Sequence, residues 1–194
     1  MEYALDLGDG PMPIAGGTGL LLLHPITGST DQVDTAFLST DTDAFLVIST
    51  RTTAHEVEQK LEYYEVNESK AVILDTLSVE RGYSRRSGDN VHYVSSPSDL
   101  DGILQHTREF LDTHDGKRRV TIDSVSELTY YAEDEDVVFE AMCELHDLLT
   151  TYDAVGLFHI SEDVHNEEMI ERYRDRFDGE IHVDNAGTVH VTLG

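Results

Sequence analysis

Leu20-Leu21-Leu22-Leu23 is apolar at every position. It is closed by His24-Pro25-Ile26-Thr27-Gly28-Ser29-Thr30 and followed by residues at helical spacing. Successive side chains of a strand point to opposite faces. A strand without a polar face therefore needs cover on both sides, the condition of a central strand in a parallel sheet. Similar runs return at Ala44–Ile48, Ala71–Leu74, Val120–Ile122 and Ala154–Ile160, and Val91–Val94 is a shorter candidate. Amphipathic segments lie between them. Thr30 or Asp31 is placed to cap a short helix through Leu38. Thr52 or Thr53 opens one with Ala54, Val57, Leu61 and Tyr64 inward. Pro97 or Ser98 opens the clearest, with Leu100, Ile103, Leu104, Thr107, Phe110 and Leu111 on one face. A broken helical region precedes a helix with Val138, Met142, Leu145, Leu148 and Leu149 inward, and Met169, Ile170, Tyr173 and Phe177 mark the last. Strands alternating with helices predict an α/β layer fold with a mostly parallel sheet. Glu180–Asp184 and Thr188–Leu193 predict a closing antiparallel hairpin. Residues 1–194 are expected to form one domain, with 1–19 a Gly- and Pro-rich irregular lead-in that ends in a turn at Gly16-Gly17.

The strand, loop and helix start at 20–30 have the layout of a phosphate-binding loop, G-x-x-x-x-G-K-[ST]. With Thr30 on the last position, Gly28 meets the second glycine, Ser29 stands for the lysine and Leu23 for the first glycine. The lysine carries the charge that reaches the β- and γ-phosphates, so its loss matters most.

The charge is one-sided: 39 Asp and Glu against 13 Lys and Arg, a formal −26. Such a domain repels itself at low ionic strength, and concentrated salt screens that repulsion. With 39% hydrophobic residues the chain is not a disordered acidic one. Acids spread along the whole chain suggest a cytoplasmic protein of a high-salt cytosol; an acidic surface for a basic partner is the other reading. Cys143 is the one cysteine, which fits a reducing compartment and an inert helix-buried thiol. No basic segment precedes an apolar run at the N-terminus, so no signal peptide is expected, and no run has the length of a membrane span.

The order of elements resembles the RecA-like core of the KaiC-type ATPases, in particular their haloarchaeal relatives. Four stretches carry the resemblance: Gly16-Gly17-Thr18-Gly19-Leu20 before the loop strand, Val94-Ser95-Ser96-Pro97-Ser98-Asp99-Leu100, the Walker B-like Arg118-Arg119-Val120-Thr121-Ile122-Asp123-Ser124-Val125-Ser126, and Phe177-Asp178-Gly179-Glu180-Ile181. The resemblance implies a three-layer α/β/α RecA-like P-loop NTPase fold. It also implies a pair of glutamates at the end of the second strand, one of them activating water. Thr50 and Arg51 stand there instead, and neither is a general base at neutral pH. Thr30 and Asp123 remain as possible magnesium ligands, but only with a nucleotide's phosphates to complete the site.

These losses predict a pseudo-ATPase: a regulatory or scaffolding protein that works through protein contacts, as a homo-oligomer or beside an active RecA/KaiC-like paralogue. Thr27, Gly28, Ser29, Thr30, Asp123 and Ser124 would form a vestigial nucleotide site, with no catalytic residue and no resident metal. The alternative is an ATP-binding switch or slow ATPase that holds magnesium on Thr30 and Asp123. A weaker one is a relative of DNA-recombination mediators, though so negative a field opposes nucleic acid as a partner. Arg81, Arg85 and Arg86 form the one basic loop cluster, either a site for an anionic partner or local charge balance. Asp75, at another strand end, suits turn capping. His182 and His190 fall opposite each other in the last hairpin near Asp184, a zinc-like pairing that lacks a fourth ligand. No nucleophile–base pair stands out, and His106 and His159 are simplest as structural or solvated residues.

Overall fold

A computed structural model describes residues 1–85 and 88–194. Arg86, the third arginine of the basic loop, lies outside the described residues. Ten strands and six helices follow in the order β1 (Glu2–Leu5), β2 (Met12–Ala15), β3 (Gly19–His24), α1 (Asp31–Ser39), β4 (Ala44–Ser49), α2 (Ala54–Tyr63), β5 (Ala71–Asp75), β6 (Val91–Tyr93), α3 (Leu100–Thr113), β7 (Arg118–Asp123), α4 (Val125–Tyr131), α5 (Glu135–Thr151), β8 (Val155–Ser161), α6 (Glu167–Arg176), β9 (Gly179–Val183) and β10 (Val189–Leu193). Eight strands form one sheet in the order β10-β9-β3-β8-β7-β4-β5-β6. Every neighbouring pair is parallel except β9 with β10. The closing hairpin sets His190 opposite His182, as the sequence implies.

The apolar runs divide by parity. Leu21 and Leu23 of β3, Leu46 and Ile48 of β4, Val120 and Ile122 of β7 and Phe158 and Ile160 of β8 face a core shared with α3, α4, α5 and α6. Leu20, Leu22, Phe45, Val47 and Leu157 face the opposite core, under α1 and α2. Both faces of the sheet are covered, giving the three-layer α/β/α arrangement.

The lead-in is not irregular. β1 and β2 pair as an antiparallel hairpin, Glu2 opposite Ala15 and Leu5 opposite Met12. It lays Tyr3, Leu5 and Ile14 on the α1/α2-side core. The Gly- and Pro-rich stretch between and after the strands supplies turns, while alternate apolar residues do the anchoring. The turn at Gly16-Gly17 is present, with Gly17 at φ +89°. Arg119 lies under this hairpin, fully buried, with Nη2 donating to the Ala4 and Thr40 carbonyls and its guanidinium over the Tyr3 and Phe37 rings. Burial pulls its pKa down to about 10.

Candidate functional site at the carboxyl edge of the sheet

The parallel strands bring His24, Ser49, Asp75, Asp123 and Ser161 to one edge, where open α/β sheets hold ligands. The phosphate-loop segment crosses this edge between β3 and α1. Two of its backbone donors are engaged within the protein. Gly28 N–H donates to the Pro25 carbonyl at 2.9 Å, and Ile26 N–H donates to the Asp163 carboxylate at 2.8 Å. Pro25 has no N–H to offer. A Cβ at Gly28 would stand 2.9 Å from Pro25 Cγ, so the turn itself accounts for the glycine. Thr27 and Ser29 are exposed. Thr30 occupies the N-cap position of α1 but makes no capping hydrogen bond. Its buried hydroxyl donates instead to Asp34 Oδ2 at 2.8 Å. The expected cap is therefore absent, because an acceptor one helical turn further on competes for the hydroxyl.

Asp34 is the centre of the buried polar network. His159 Nε2 lies 2.8 Å from its Oδ1, off the line of a hydrogen bond, and Lys60 Nζ lies 3.4 Å from its Oδ2. The other nitrogen of the His159 ring is 3.7 Å from Asp123 Oδ1. Asp123 also accepts a hydrogen bond of 2.5 Å from Arg51 Nη2. Lys60 continues to Asp31 at 2.7 Å, which accepts from the Tyr64 hydroxyl at 2.6 Å.

The charges set one another. Burial opposes a protonated His159, but Asp34 and Asp123 outweigh it and raise its pKa above the ordinary 6.5. Burial likewise opposes ionised Asp34, yet His159, Lys60 and Thr30 hold its pKa well below the usual carboxylate range. His24, whose ring lies 5.7 Å from that of His159, is pushed the other way by burial and by its cationic neighbours, and stays neutral.

Sequence reasoning brought Thr30 and Asp123 to this edge but missed Asp34, Lys60, His24 and the part played by His159. Two signals were there. Asp34 falls on the inward face of α1 with Val33, Phe37 and Leu38, and His159 interrupts a run that is otherwise apolar. His159 is structural and fully buried, not solvated.

The remaining candidates separate. Ser124 caps α4 by accepting from Glu127 N–H at 3.2 Å. Thr50, at a position the resemblance assigns to a glutamate, accepts from Ser124 N–H at 2.6 Å and donates to the Ser124 carbonyl at 3.2 Å, so it ties β4 to β7. The peptide bond between Asp123 and Ser124 is cis. Asp75 receives Ala54 N–H, Leu77 N–H, Ser78 N–H and the Ser78 hydroxyl, a turn-capping role. Arg81 donates to the Tyr131 hydroxyl at 3.1 Å, and Arg85 is exposed. Cys143 is buried, and burial raises its thiol pKa.

One arrangement has the order of a nucleophilic triad: Ser126 Oγ lies 2.9 Å from His165 Nε2, and His165 Nδ1 contacts Glu135. The Ser126 oxygen also accepts Ser161 N–H at 2.8 Å, and serine and histidine are both buried. The three side chains brace α4, α5 and β8 and leave the oxygen enclosed.

The layer order, the loop after β3 and the acid at the end of β7 fit the fold of the RecA/KaiC-like P-loop ATPases. The chain itself belongs to the family of unknown function DUF7090, whose profile matches residues 1–193. A comparison with curated proteins finds no match. Among solved structures the chain is similar to a KaiC-like protein of the hyperthermophilic archaeon Pyrococcus horikoshii, at 14% identity and a TM-score of 0.61, covering 92% of this chain and 78% of that one. It is similar to the flagellar accessory protein FlaH of Methanocaldococcus jannaschii, at 13% identity and 0.61, covering 94% and 80%. A type III secretion ATPase of pathogenic bacteria aligns at 13% identity and 0.64, and this chain, 96% covered, spans 57% of its length. At these identities the likeness is one of fold.

Proposed function

We propose that this protein is a RecA/KaiC-like chain that does not hydrolyse nucleotide and acts through protein contacts, as a regulatory or scaffolding subunit. The observation that carries this reading is the Arg51–Asp123 pair. The carboxylate that would hold a magnesium-bound water is held by a cation, and that cation stands where the resemblance requires a glutamate. Phosphoryl transfer depends on positioned charge, and here Ser29 replaces the lysine while the Gly28 N–H closes the loop's own turn on Pro25. Thr30, the other candidate magnesium ligand, is buried and turned to Asp34, to which its hydroxyl donates a hydrogen bond. The proposed partners are further copies of this chain or an active paralogue of the same fold. The acid excess supports a high-salt cytosol as the setting.

The test is calorimetric titration of magnesium-ATP in about 2 M KCl, which cuts the Debye length below about 3 Å, with a hydrolysis assay alongside. The expected result is no one-site isotherm and no turnover above buffer. Turnover that Asp123→Ala abolishes would overturn the proposal. A clear isotherm without turnover would replace it with the nucleotide-binding switch.

A further inference from the structure

The helices α1 and α2 do not close over the sheet. Between them a cleft of about 290 Å3 reaches down to β4 and β7. It lies beside the phosphate-loop segment and includes none of Thr27, Gly28 or Ser29. Leu38, Val47, Val57, Leu61 and Val66 make its walls apolar. On its floor stands Thr121, 3% exposed, whose Oγ1 has no hydrogen-bond partner among the described residues. A buried hydroxyl without a partner costs stability, and a concave site with apolar walls and a few placed polar groups is the general form of a ligand site.

The rim decides the charge of the occupant. Arg51 is paired with Asp123, Lys60 with Asp31 and Asp34, and Glu56 accepts from Thr53 at the start of α2. Both rim cations already have carboxylate partners, so an anion entering the cleft would be desolvated without gaining a free counter-charge, and the Glu56 carboxylate is exposed and engaged with Thr53 at the start of α2 rather than on the floor. We propose that the α1/α2 cleft binds a small, neutral, mainly apolar molecule with a single hydrogen-bonding group, such as a heteroaromatic ring bearing one N–H, seated with that group on Thr121 Oγ1. This site shares the Arg51–Asp123 pair with the nucleotide reading. It needs neither the loop nor magnesium.

Indole is the probe: neutral, planar and carrying one N–H. The chain contains no tryptophan, so indole emission excited beyond the tyrosine band reports the probe alone. Titrating the full chain at high salt should give a saturable blue shift as the ring leaves water. Thr121→Val should weaken binding about fivefold, the scale of one neutral hydrogen bond. 1-Methylindole, which lacks the N–H, should bind the native chain about fivefold more weakly and lose nothing further in Thr121→Val. Thr35 lies half-buried at the mouth, and Thr35→Phe should fill the cleft and abolish the shift. Absence of a saturable shift at millimolar indole would overturn the proposal. So would binding that Thr35→Phe leaves intact, or equal binding of indole and 1-methylindole to the native chain. The last comparison needs no variant to fold.

Discussion

A histidine enclosed by two carboxylates in a protein interior keeps its proton, and at His159 that proton holds three elements together. Asp34 comes from α1, Asp123 from the end of β7 and His159 from the middle of β8. Replacing the ring by a neutral side chain of similar reach leaves Asp34 buried with only Lys60 and Thr30 to answer it. Removing one partner of a buried pair costs about 3–5 kcal/mol, and His159→Gln should fall at or just below that range in chemical unfolding. The pH dependence has a definite sign. The folded pKa lies above the ordinary 6.5, so this contribution is complete below about pH 6.5 and is lost as pH rises through the folded value. Asp34 is the opposite case: its depressed pKa supplies stability that is complete above the ordinary carboxylate value near 3.8 and is lost as pH falls from there through the folded value. Unfolding free energy should therefore decline on the alkaline side of neutrality, and His159→Gln should flatten that limb. An unchanged slope in the variant would show the proton to be elsewhere.

At the scale of elements, the caps rank by how many donors each one serves. Thr53 and Glu56 form a reciprocal capping box at the start of α2, in contact with solvent. Thr53→Ala should cost about 1 kcal/mol. Asp75 is fully buried and accepts from three backbone N–H groups and one hydroxyl, joining the end of β5, the turn after it and the first residue of α2. Asp75→Ala strands those donors, at about 1–3 kcal/mol for each buried unsatisfied group. It should lower the melting temperature several times as far as Thr53→Ala; equal shifts would mean that water takes over from the carboxylate.

The same contrast explains what the sequence made legible. Local signals carried α2, α3 and the central strands, because an apolar period and a cap lie within a few residues of each other. The β1–β2 hairpin was illegible because its strands are short and its alternation is masked by glycine and proline. Thr30 was misjudged because Asp34 competes for its hydroxyl. The Asp34–His159 and Arg51–Asp123 pairs join residues far apart in the chain. An acid on an apolar helix face and a histidine in an apolar strand each mark a buried polar group, but only the order β3-β8-β7-β4 brings them together.

For the molecule as a whole, 39 acids against 13 bases leave most carboxylates without a basic partner even if every base is paired. The repulsion among them is long-range at a Debye length of about 30 Å in 0.01 M salt and short-range at about 3 Å in 1 M. The melting temperature should therefore climb steeply with KCl up to about 1 M, where screening is complete, and change slowly beyond it. A flat response would show that the acids are spaced too widely to destabilise the fold. Lowering pH from neutrality toward the isoelectric region, near 4.4, also removes surface charge. In dilute salt it should stabilise the protein, the same direction as His159 protonation. The two contributions separate because buried pairs are screened far less than exposed ones. In about 2 M KCl the surface part of the pH slope should vanish, leaving the His159 part. His159→Gln should then be nearly flat across neutrality in high salt yet keep a slope in low salt. A decline with rising pH that survives both the salt and the substitution would have to come from a buried group other than His24, because burial lowers the His24 pKa and its contribution therefore grows as pH rises.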